Sequence, residues 1–278
     1  MWKPVRITSS SLPVTSIGFL NASRRGTPET DSLPVMLAQV DALPGDLAAL
    51  LVTADLQGVV PDWHDGGRPR LLGEELADAY LTLADQGVVP PAAATGVILA
   101  GDLYSAPDAS ERGASGDVRS VWEAFASAFR WVAGVAGNHD RFGSARDQAR
   151  FVARPGVHLL DGDVASLDGL RVAGVGLIAG NPNKPGRRSE ADQLGMLELV
   201  LGDHPDVLVV HEGPNGASDQ RGSPGIREEL SRRPPPLTIC GHCHWHRPLF
   251  ELDGAAQVLN VDGRAVVLVA GAASAVVA

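Results

Sequence analysis

Short apolar runs alternate along this chain with longer helical patterns, and many of the runs end directly in a polar residue. Strands that alternate with helices indicate an α/β fold. The runs predicted to form strands are Leu50–Thr53, Val97–Ala100, Trp131–Ala136, Arg171–Gly176, Val207–Val210, Leu237–Cys240, Gln257–Val261 and Ala265–Val269. Apolar residues at three- and four-residue spacing predict helices over Leu71–Gln86, Val118–Phe129, Ala145–Val152 and Glu190–Leu201.

The two ends of the chain give weaker patterns. Residues 1–45 contain turn residues and short apolar pieces, so their packing stays open within a predicted single domain over residues 1–278. Asp262-Gly263, between the last two predicted strands, is typical of a short hairpin turn. Ala265–Ala278 is apolar but shorter than the roughly 20 residues that span a bilayer, and it predicts a terminal strand plus a tail. An exposed apolar tail could pack on a second copy, so we expect a monomer or a homodimer.

Charge and cysteine content restrict the partners and the compartment. The formal net charge of −10 gives an acidic surface that repels a nucleic-acid backbone, which makes nucleic acid an unfavourable partner. The two cysteines, Cys240 and Cys243, are too close together to staple a chain of 278 residues, which indicates a reducing compartment. Met1–Arg25 lacks the continuous apolar segment of a signal peptide. We therefore expect a cytoplasmic protein with no membrane partner.

Five of the predicted strands are followed by side chains of the types that can bind metal ions. Glycines beside these side chains allow the backbone to turn sharply and to approach a ligand closely. In open α/β sheets, ligands bind at the edge that the carboxyl ends of the strands form. The segments are Thr53-Ala54-Asp55-Leu56-Gln57-Gly58, Ala100-Gly101-Asp102-Leu103, Gly137-Asn138-His139-Asp140, Val210-His211-Glu212-Gly213-Pro214 and Gly241-His242-Cys243-His244.

The chemistry of these donors favours divalent metal ions. Carboxylate, carboxamide and imidazole suit ions of intermediate hardness such as Mn²⁺, Zn²⁺ or Fe²⁺. Two ions about 3.5–4 Å apart activate a water and stabilise the attacking and leaving oxygens of an in-line displacement at phosphorus. A two-ion site would explain why the chain has more donors than one ion needs.

In their order, these segments resemble the calcineurin-like metallophosphoesterase superfamily. The family pattern is Asp-x-His, Gly-Asp, Gly-Asn-His-Asp/Glu, a lone His, and Gly-His-x-His. The resemblance covers about Leu50 to Val269. It implies a four-layer α-β-β-α sandwich, in which two mixed sheets are flanked by helices and the site lies at the strand ends.

The resemblance also implies a role for each matching residue. The first ion would be held by Asp55, Asp102 and His244, and Asp102 would bridge to a second ion held by Asn138, His211 and His242. His139 would lie over the substrate and protonate the leaving oxygen, with Asp140 orienting its ring. The nucleophile would be a hydroxide that bridges the two ions.

Gln57 departs from the family pattern, because it stands where the family has the histidine of Asp-x-His. A carboxamide oxygen is a weaker donor than imidazole, so the first ion should bind less tightly and should favour harder ions. Mn²⁺ is therefore the expected ion, with Fe, Zn²⁺ and Mg²⁺ as alternatives. His64 is a candidate to replace the missing imidazole, although a loop histidine is usually solvated.

Simpler interpretations exist for single motifs. Gly-Asp is common in turns, and His211 alone could be a hydrogen-bonded core histidine. Cys240 and Cys243 match a Cys-x-x-Cys redox or half-zinc pattern, but the chain lacks a second half-site or a following helix start. Cys240 is therefore expected to pack as a small apolar residue. The order of the segments carries the prediction of a metal site.

The predicted function is hydrolysis of a small phosphate ester by a two-metal site, with a phosphodiester favoured over a phosphomonoester. The run Gly101-Asp102-Leu103-Tyr104-Ser105 differs from the Val-Asp-Arg-Gly run of protein Ser/Thr phosphatases. One alternative is a phosphomonoesterase. Another is a non-catalytic binding module with a weakened metal site, which only Gln57 supports.

Overall fold

A computed structural model describes residues 5–9, 12–61, 69–252 and 256–271. Its strands are β1 (Leu12–Ala22), β2 (Pro28–Val40), β3 (Ala49–Ala54), β4 (Val59–Val60), β5 (Arg70–Leu71), β6 (Thr95–Leu99), β7 (Gly116–Asp117), β8 (Trp131–Gly134), β9 (Asp140–Arg141), β10 (Val157–Leu159), β11 (Asp163–Leu167), β12 (Leu170–Val175), β13 (Ile178–Ala179), β14 (Arg187–Arg188), β15 (Val207–Glu212), β16 (Leu237–Gly241), β17 (Leu249–Glu251), β18 (Gln257–Asn260) and β19 (Arg264–Ala270). Its α-helices are α1 (Leu72–Asp85), α2 (Arg119–Ala128), α3 (Ala145–Val152), α4 (Glu190–Gly202) and α5 (Pro224–Arg232).

Two mixed sheets form the centre of the fold. The larger has nine strands in the order β10-β8-β6-β3-β19-β2-β1-β4-β5, and the smaller has six in the order β11-β12-β15-β16-β18-β17. Strands β3, β6, β8 and β10 run parallel to one another, as do β12, β15, β16 and β18. The carboxyl ends of these parallel strands carry the polar segments that the sequence singles out.

Three apolar layers hold the sheets and helices together. On β3, Leu51 packs with α1 and α2, whereas Leu50 packs between the two sheets. On β15, Val209 faces the same inter-sheet layer, and Val210 packs with α4 and α5. Neighbouring residues of a strand point to opposite faces, so a strand buried on both faces supplies two layers. The predicted four-layer α-β-β-α architecture is confirmed.

The predicted helices and strands correspond to elements of the structure, with ends that differ by a few residues. The helix α5 was not predicted. It buries only Ile226 and Leu230, and such a short pattern does not distinguish a helix from a loop. Its start does carry a signal, because the Ser223 side chain accepts a hydrogen bond from the Ile226 N–H and Pro224 occupies the first turn.

The predicted hairpin at Asp262-Gly263 is wrong. Strand β18 pairs with β16 and β17 in the six-stranded sheet, and β19 lies between β3 and β2 in the nine-stranded sheet. All four residues of β18 and the first five of β19 are buried. Each strand therefore fills an interior position of its own sheet, and this burial outweighs the local turn preference.

The N-terminal region, whose packing the sequence left open, joins the larger sheet. Strands β1 and β2 form a long antiparallel hairpin, and β2 pairs in parallel with β19. His64 and the apolar tail after Gly271 lie outside the described residues. Among the helices of the described ranges, none is long and apolar enough to cross a membrane.

Candidate metal centre

Three of the predicted ligands have a strained backbone. Asp55, Asp102 and His242 follow β3, β6 and β16, and their φ angles are 54°, 56° and 67°. A positive φ in a residue other than glycine costs on the order of 1–3 kcal/mol and persists only where the surroundings enforce it. The strand ends therefore hold these side chains in fixed positions, which is the arrangement a metal site needs.

The ligands predicted for the second ion lie together. One ligand atom each from Asp102, His211 and His242 lies within 4.8 Å of the others. Asn138 Oδ1 is 3.2 Å from His211 Nε2, and Asp102 Oδ2 is 3.4 Å from the same nitrogen. His211 Nδ1 lies 2.8 Å from the Ala100 carbonyl oxygen, and donation to it leaves Nε2 directed at the cluster.

The electrostatics of this cluster favour a bound cation. Burial lowers the pKa of His211, but the carboxylate of Asp102 outweighs it and raises that pKa to about 10. A metal ion would displace this proton, because only the neutral imidazole is a ligand. His242 is ready to coordinate, since burial, followed by the positive charge of His211, lowers its pKa to about 4.

The ligands predicted for the first ion are arranged differently. Asp55 Oδ2 accepts a hydrogen bond from the His242 N–H at 2.9 Å, and Gln57 Nε2 donates to Asp102 Oδ2 at 3.1 Å. Burial and the nearby Asp262 raise the pKa of Asp55 well above its usual range, so a cation beside it would be stabilised. The half-exposed ring of His244 lies against Asp262, with Nδ1 3.3 Å from Oδ1.

Asp140 does not orient the ring of His139, and this part of the prediction is wrong. Both carboxylate oxygens of Asp140 accept backbone N–H groups, from Gly137 at 2.8 Å, Asp102 at 2.9 Å and Leu103 at 2.8 Å. The His139 ring instead has Ser115 beside it, with Oγ 3.1 Å from Nδ1. Asp140 thus ties the ends of β6 and β8 together, because a buried carboxylate needs such donors.

Two glycines of the motifs are needed for the close approach of the carboxylates. A Cβ atom on Gly137 would lie 2.1 Å from Asp102 Oδ1, and one on Gly241 would lie 2.2 Å from Asp55 Oδ2. Both distances are far below van der Waals contact. The glycines of Gly-Asn-His-Asp and Gly-His-x-His are therefore part of the site.

Two residues near the centre were missed from the sequence. Arg264 is buried, and its Nη2 lies 3.3 Å from His244 Nε2. Asp262 Oδ1 lies 3.3 Å from Nδ1 of the same ring. Both belong to Asp262-Gly263-Arg264, which has the sequence of a surface turn, so only the crossing between the sheets brings them to the site.

The cysteines do not contribute to the cluster. Cys240 and Cys243 are both free thiols, and Cys240 is buried. Burial raises the pKa of both thiols, which disfavours the thiolate that a metal or redox site uses. In the described part of the chain, the one group of acidic, histidine or cysteine residues close enough to hold an ion is Asp102, His211 and His242. The predicted packing role of Cys240 is confirmed.

The donor set fits a divalent ion of intermediate hardness. The described cluster combines carboxylate, carboxamide and imidazole groups, which is typical of sites for Mn²⁺, Fe²⁺ or Zn²⁺. The second position has four such donors within short distances of one another. The first position has the partly buried carboxylate of Asp55. Its other donors are less favourable, because Gln57 is a weaker donor than imidazole and His244 already contacts Asp262 and Arg264.

Comparison with known proteins agrees with this geometry. The family model for the calcineurin-like phosphoesterase matches residues 50–246. No curated protein matches the chain significantly. The crystal structure of TT1561 from Thermus thermophilus is similar, with a TM-score of 0.54 and 19% sequence identity over 77% of this chain and 88% of that one. At this identity the likeness concerns the fold alone.

Proposed function

Because the chain belongs to the calcineurin-like phosphoesterase family, we propose that it is a metal-dependent hydrolase of phosphate esters with its centre at Asp102. The observation that carries this proposal is the convergence of Asp102, His211 and His242 at the strand ends. Asn138 completes a four-donor set beside them.

Divalent ions held by these residues would supply Lewis-acid stabilisation and an activated water. The protein groups position the reacting parts around them. Asp102 is held by the His139 N–H, which donates to Oδ1 at 2.8 Å, and by the Asp140 carboxylate, which accepts the Asp102 N–H. The His139 ring, with Ser115 beside Nδ1, would use Nε2 to donate a proton to the leaving oxygen.

We propose two ion positions of unequal affinity, with Mn²⁺ as the ion. The stronger position uses Asp102, Asn138, His211 and His242. The weaker position uses Asp55, Gln57 and His244 together with the shared Asp102. The strained Asp55 and the placement of Gln57 beside the Asp102 carboxylate support a second position next to the first.

A phosphodiester is the proposed substrate class, and two cavities support it. One, of about 250 Å³, meets the centre at Gln57 and includes Tyr104 and Arg112. The other, of about 740 Å³, meets it at His244 and includes Phe19 and Met36. A diester would place one substituent in each cavity, whereas a monoester would fill one.

The proposed substrate is small, and the net charge of −10 disfavours a nucleic-acid polymer. The first cavity contains several charged and polar groups, so it suits a polar substituent. The second is polar near His244 and Asp262, but Phe19, Met36 and prolines line another part of it, which suits an apolar or aromatic substituent. The free thiols of both cysteines support the cytoplasm as the proposed compartment.

The test is hydrolysis by the full chain after chelation and metal return. We expect chelated protein to be inactive, Mn²⁺ to restore turnover, and an aryl phosphodiester to be cleaved faster than the matching monoester. A tenfold preference for the monoester would reverse the substrate class. Firm metal binding without turnover of any ester would favour a non-catalytic binding module.

A further inference from the structure

Arg264 places a permanent positive charge beside the weaker ion position. Its side chain starts at the first residue of β19 and is only 8% exposed. Nη2 donates to the Trp245 carbonyl oxygen at 2.8 Å. Trp245 is itself fully buried, and its Nε1 donates to the Arg221 carbonyl oxygen at 2.7 Å. The guanidinium is thus held by a fixed part of the protein.

The contact of Arg264 with His244 involves both ring nitrogens. Nη2 is 3.3 Å from Nε2 and 3.5 Å from Nδ1 of His244. A guanidinium stays protonated in proteins and can only donate. An ion coordinated through either nitrogen of this ring would therefore lie next to an existing positive charge. Asp262, beside His244 Nδ1, supplies the compensating negative charge.

Gln57 presents a second obstacle at the same position. Its Nε2 donates to Asp102 Oδ2, so the amide points a donor at the shared carboxylate. An ion would need the amide to turn and present its oxygen. At the stronger position, His211 can release its proton when an ion binds, whereas the Arg264 guanidinium keeps its charge. Asn138 Oδ1 and Asp102 Oδ2 both point at His211 Nε2 there.

We propose that Arg264 is a built-in cation that competes with the weaker metal ion for His244. The resting chain then binds one ion firmly, at Asp102, Asn138, His211 and His242, and binds a second only at higher metal concentration. Arg264 is a positioning residue in this arrangement, since it acts through His244. The proposal rests on the proposed function, because it assigns different strengths to the two positions of that site.

Asp262 also needs a positive partner, because its carboxylate is largely buried and its Oδ1 lies 3.3 Å from His244 Nδ1. Buried carboxylates need a positive partner. Arg264 provides a positive charge near Asp262 whether or not an ion is bound. Without the guanidinium, a metal ion would be the group that balances this carboxylate.

The test is a Mn²⁺ titration of the full chain, read by calorimetry and by elemental analysis after dialysis. We expect wild type to keep one Mn²⁺ per chain and to bind a second weakly. Arg264→Met, which keeps much of the length of the side chain without its charge, should bind the second ion at least tenfold more tightly. Arg247→Met is the matched control, because Arg247 is exposed and pairs with Asp219. It should titrate like wild type.

A second variant keeps the test decisive if Arg264→Met does not fold. Arg264→Gln removes the charge but keeps an amide N–H group, and it should also bind the second ion at least tenfold more tightly than wild type. Second-ion binding no tighter than in wild type would overturn the proposal. Two firmly bound ions in wild type, or equal titrations of Arg264→Met and Arg247→Met, would also overturn it. Those outcomes leave the hydrolase intact, whereas absence of any firm ion would contradict the proposed function itself.

Discussion

Asp102 connects several parts of the centre through one carboxylate. Oδ1 accepts the His139 N–H, while Oδ2 accepts from Gln57 and lies 3.4 Å from His211 Nε2. We expect Asp102→Ala to abolish turnover and to lower metal binding at both positions, because the bridging ligand is lost. A calorimetric Mn²⁺ titration measures both positions, with the exposed Asp203→Ala as control. Two binding constants equal to those of wild type would exclude the bridging role.

His139 is expected to have a role different from that of the metal ligands. Its ring lies beside Ser115 and is not among the clustered ligands. We expect His139→Ala to keep its metal and to lose turnover by about 10²–10⁴-fold, the range for a positioned general acid. Ser115→Ala should lose less, since it only orients the ring. A His139→Ala protein that has lost its metal would identify His139 as a ligand.

Residues in short motifs were predictable one by one, whereas residues brought in by the fold were not. Gly137-Asn138-His139 is recognisable because the glycine and the donors are adjacent in sequence. Arg264 and Ser115 have no such neighbours, and their roles depend on which strand ends meet. The partner of Asp140 was mistaken for the same reason, because a sequence pattern does not show which backbone N–H groups after β6 and β8 face a carboxylate.

Asp140 connects the loops after β6 and β8 through hydrogen bonds to their backbone N–H groups. Asp140→Ala would leave three buried N–H groups without an acceptor, and each such group costs roughly 1–3 kcal/mol. We expect the free energy of unfolding in urea to fall by about 3 kcal/mol or more. Asp147→Ala, at the N-terminal cap of α3, should cost about 1 kcal/mol. Unchanged stability with lost turnover would restore the role predicted from the sequence.

The loop after β8 also needs Gly137 to have no side chain. A Cβ atom there would lie 2.1 Å from Asp102 Oδ1 and 2.3 Å from the Asp102 nitrogen. We expect Gly137→Ala to weaken firm Mn²⁺ binding at least tenfold while the fold persists, measured by calorimetry and circular dichroism. The control is Gly195→Ala in α4, where a Cβ meets nothing within 4 Å. Equal metal affinity in the two variants would contradict the steric argument.

The ends of the helices and strands follow the apolar periodicity of the sequence, but the pairing of the strands with one another does not. Helices α1 and α2 bury apolar residues at three- and four-residue spacing, and the sequence predicted them together with α3 and α4. The assignment of β18 and β19 to different sheets is set by burial on both faces of each strand, and a local Asp-Gly turn signal cannot report that. Helix α5 was missed because Pro224-Gly225 at its start continues the Gly- and Pro-rich loop that precedes it.

For the whole molecule, the centre is assembled from both sheets. Asp55, Asp102 and Asn138 follow strands of the nine-stranded sheet, and His211 and His242 belong to strand ends of the six-stranded sheet. An ion bound at this centre would therefore join the two halves of the sandwich. The prediction of this architecture came from the family resemblance that the order of the motifs carries.

The β1–β2 hairpin was not predictable in the same way. Much of its length is exposed or half-buried, so it lacks the apolar run that identifies an interior strand. In the structure it nevertheless bounds both cavities, through Asn21 and Asp31. The hairpin contains no motif residues, yet it forms part of the wall of both cavities that are proposed to hold the substrate.

A substitution in this hairpin can test the two-cavity proposal without changing a metal ligand. Ser32 is an exposed residue of β2 that lines the larger cavity but not the smaller one. We expect Ser32→Trp to fill part of that cavity and to raise KM for bis(p-nitrophenyl) phosphate about tenfold, equivalent to about 1.4 kcal/mol. KM for p-nitrophenyl phosphate should change less than about threefold, because the monoester can use the cavity at Gln57.

Thr30→Trp is the matched control for this substitution. Thr30 is an exposed residue of the same strand that lines neither cavity. It carries the same added ring, so any general effect of tryptophan on the hairpin appears in both variants. Steady-state kinetics with both esters, at saturating Mn²⁺, separates the cases. If Ser32→Trp and Thr30→Trp behave alike, the larger cavity does not hold a substituent, and the diester proposal loses its structural support.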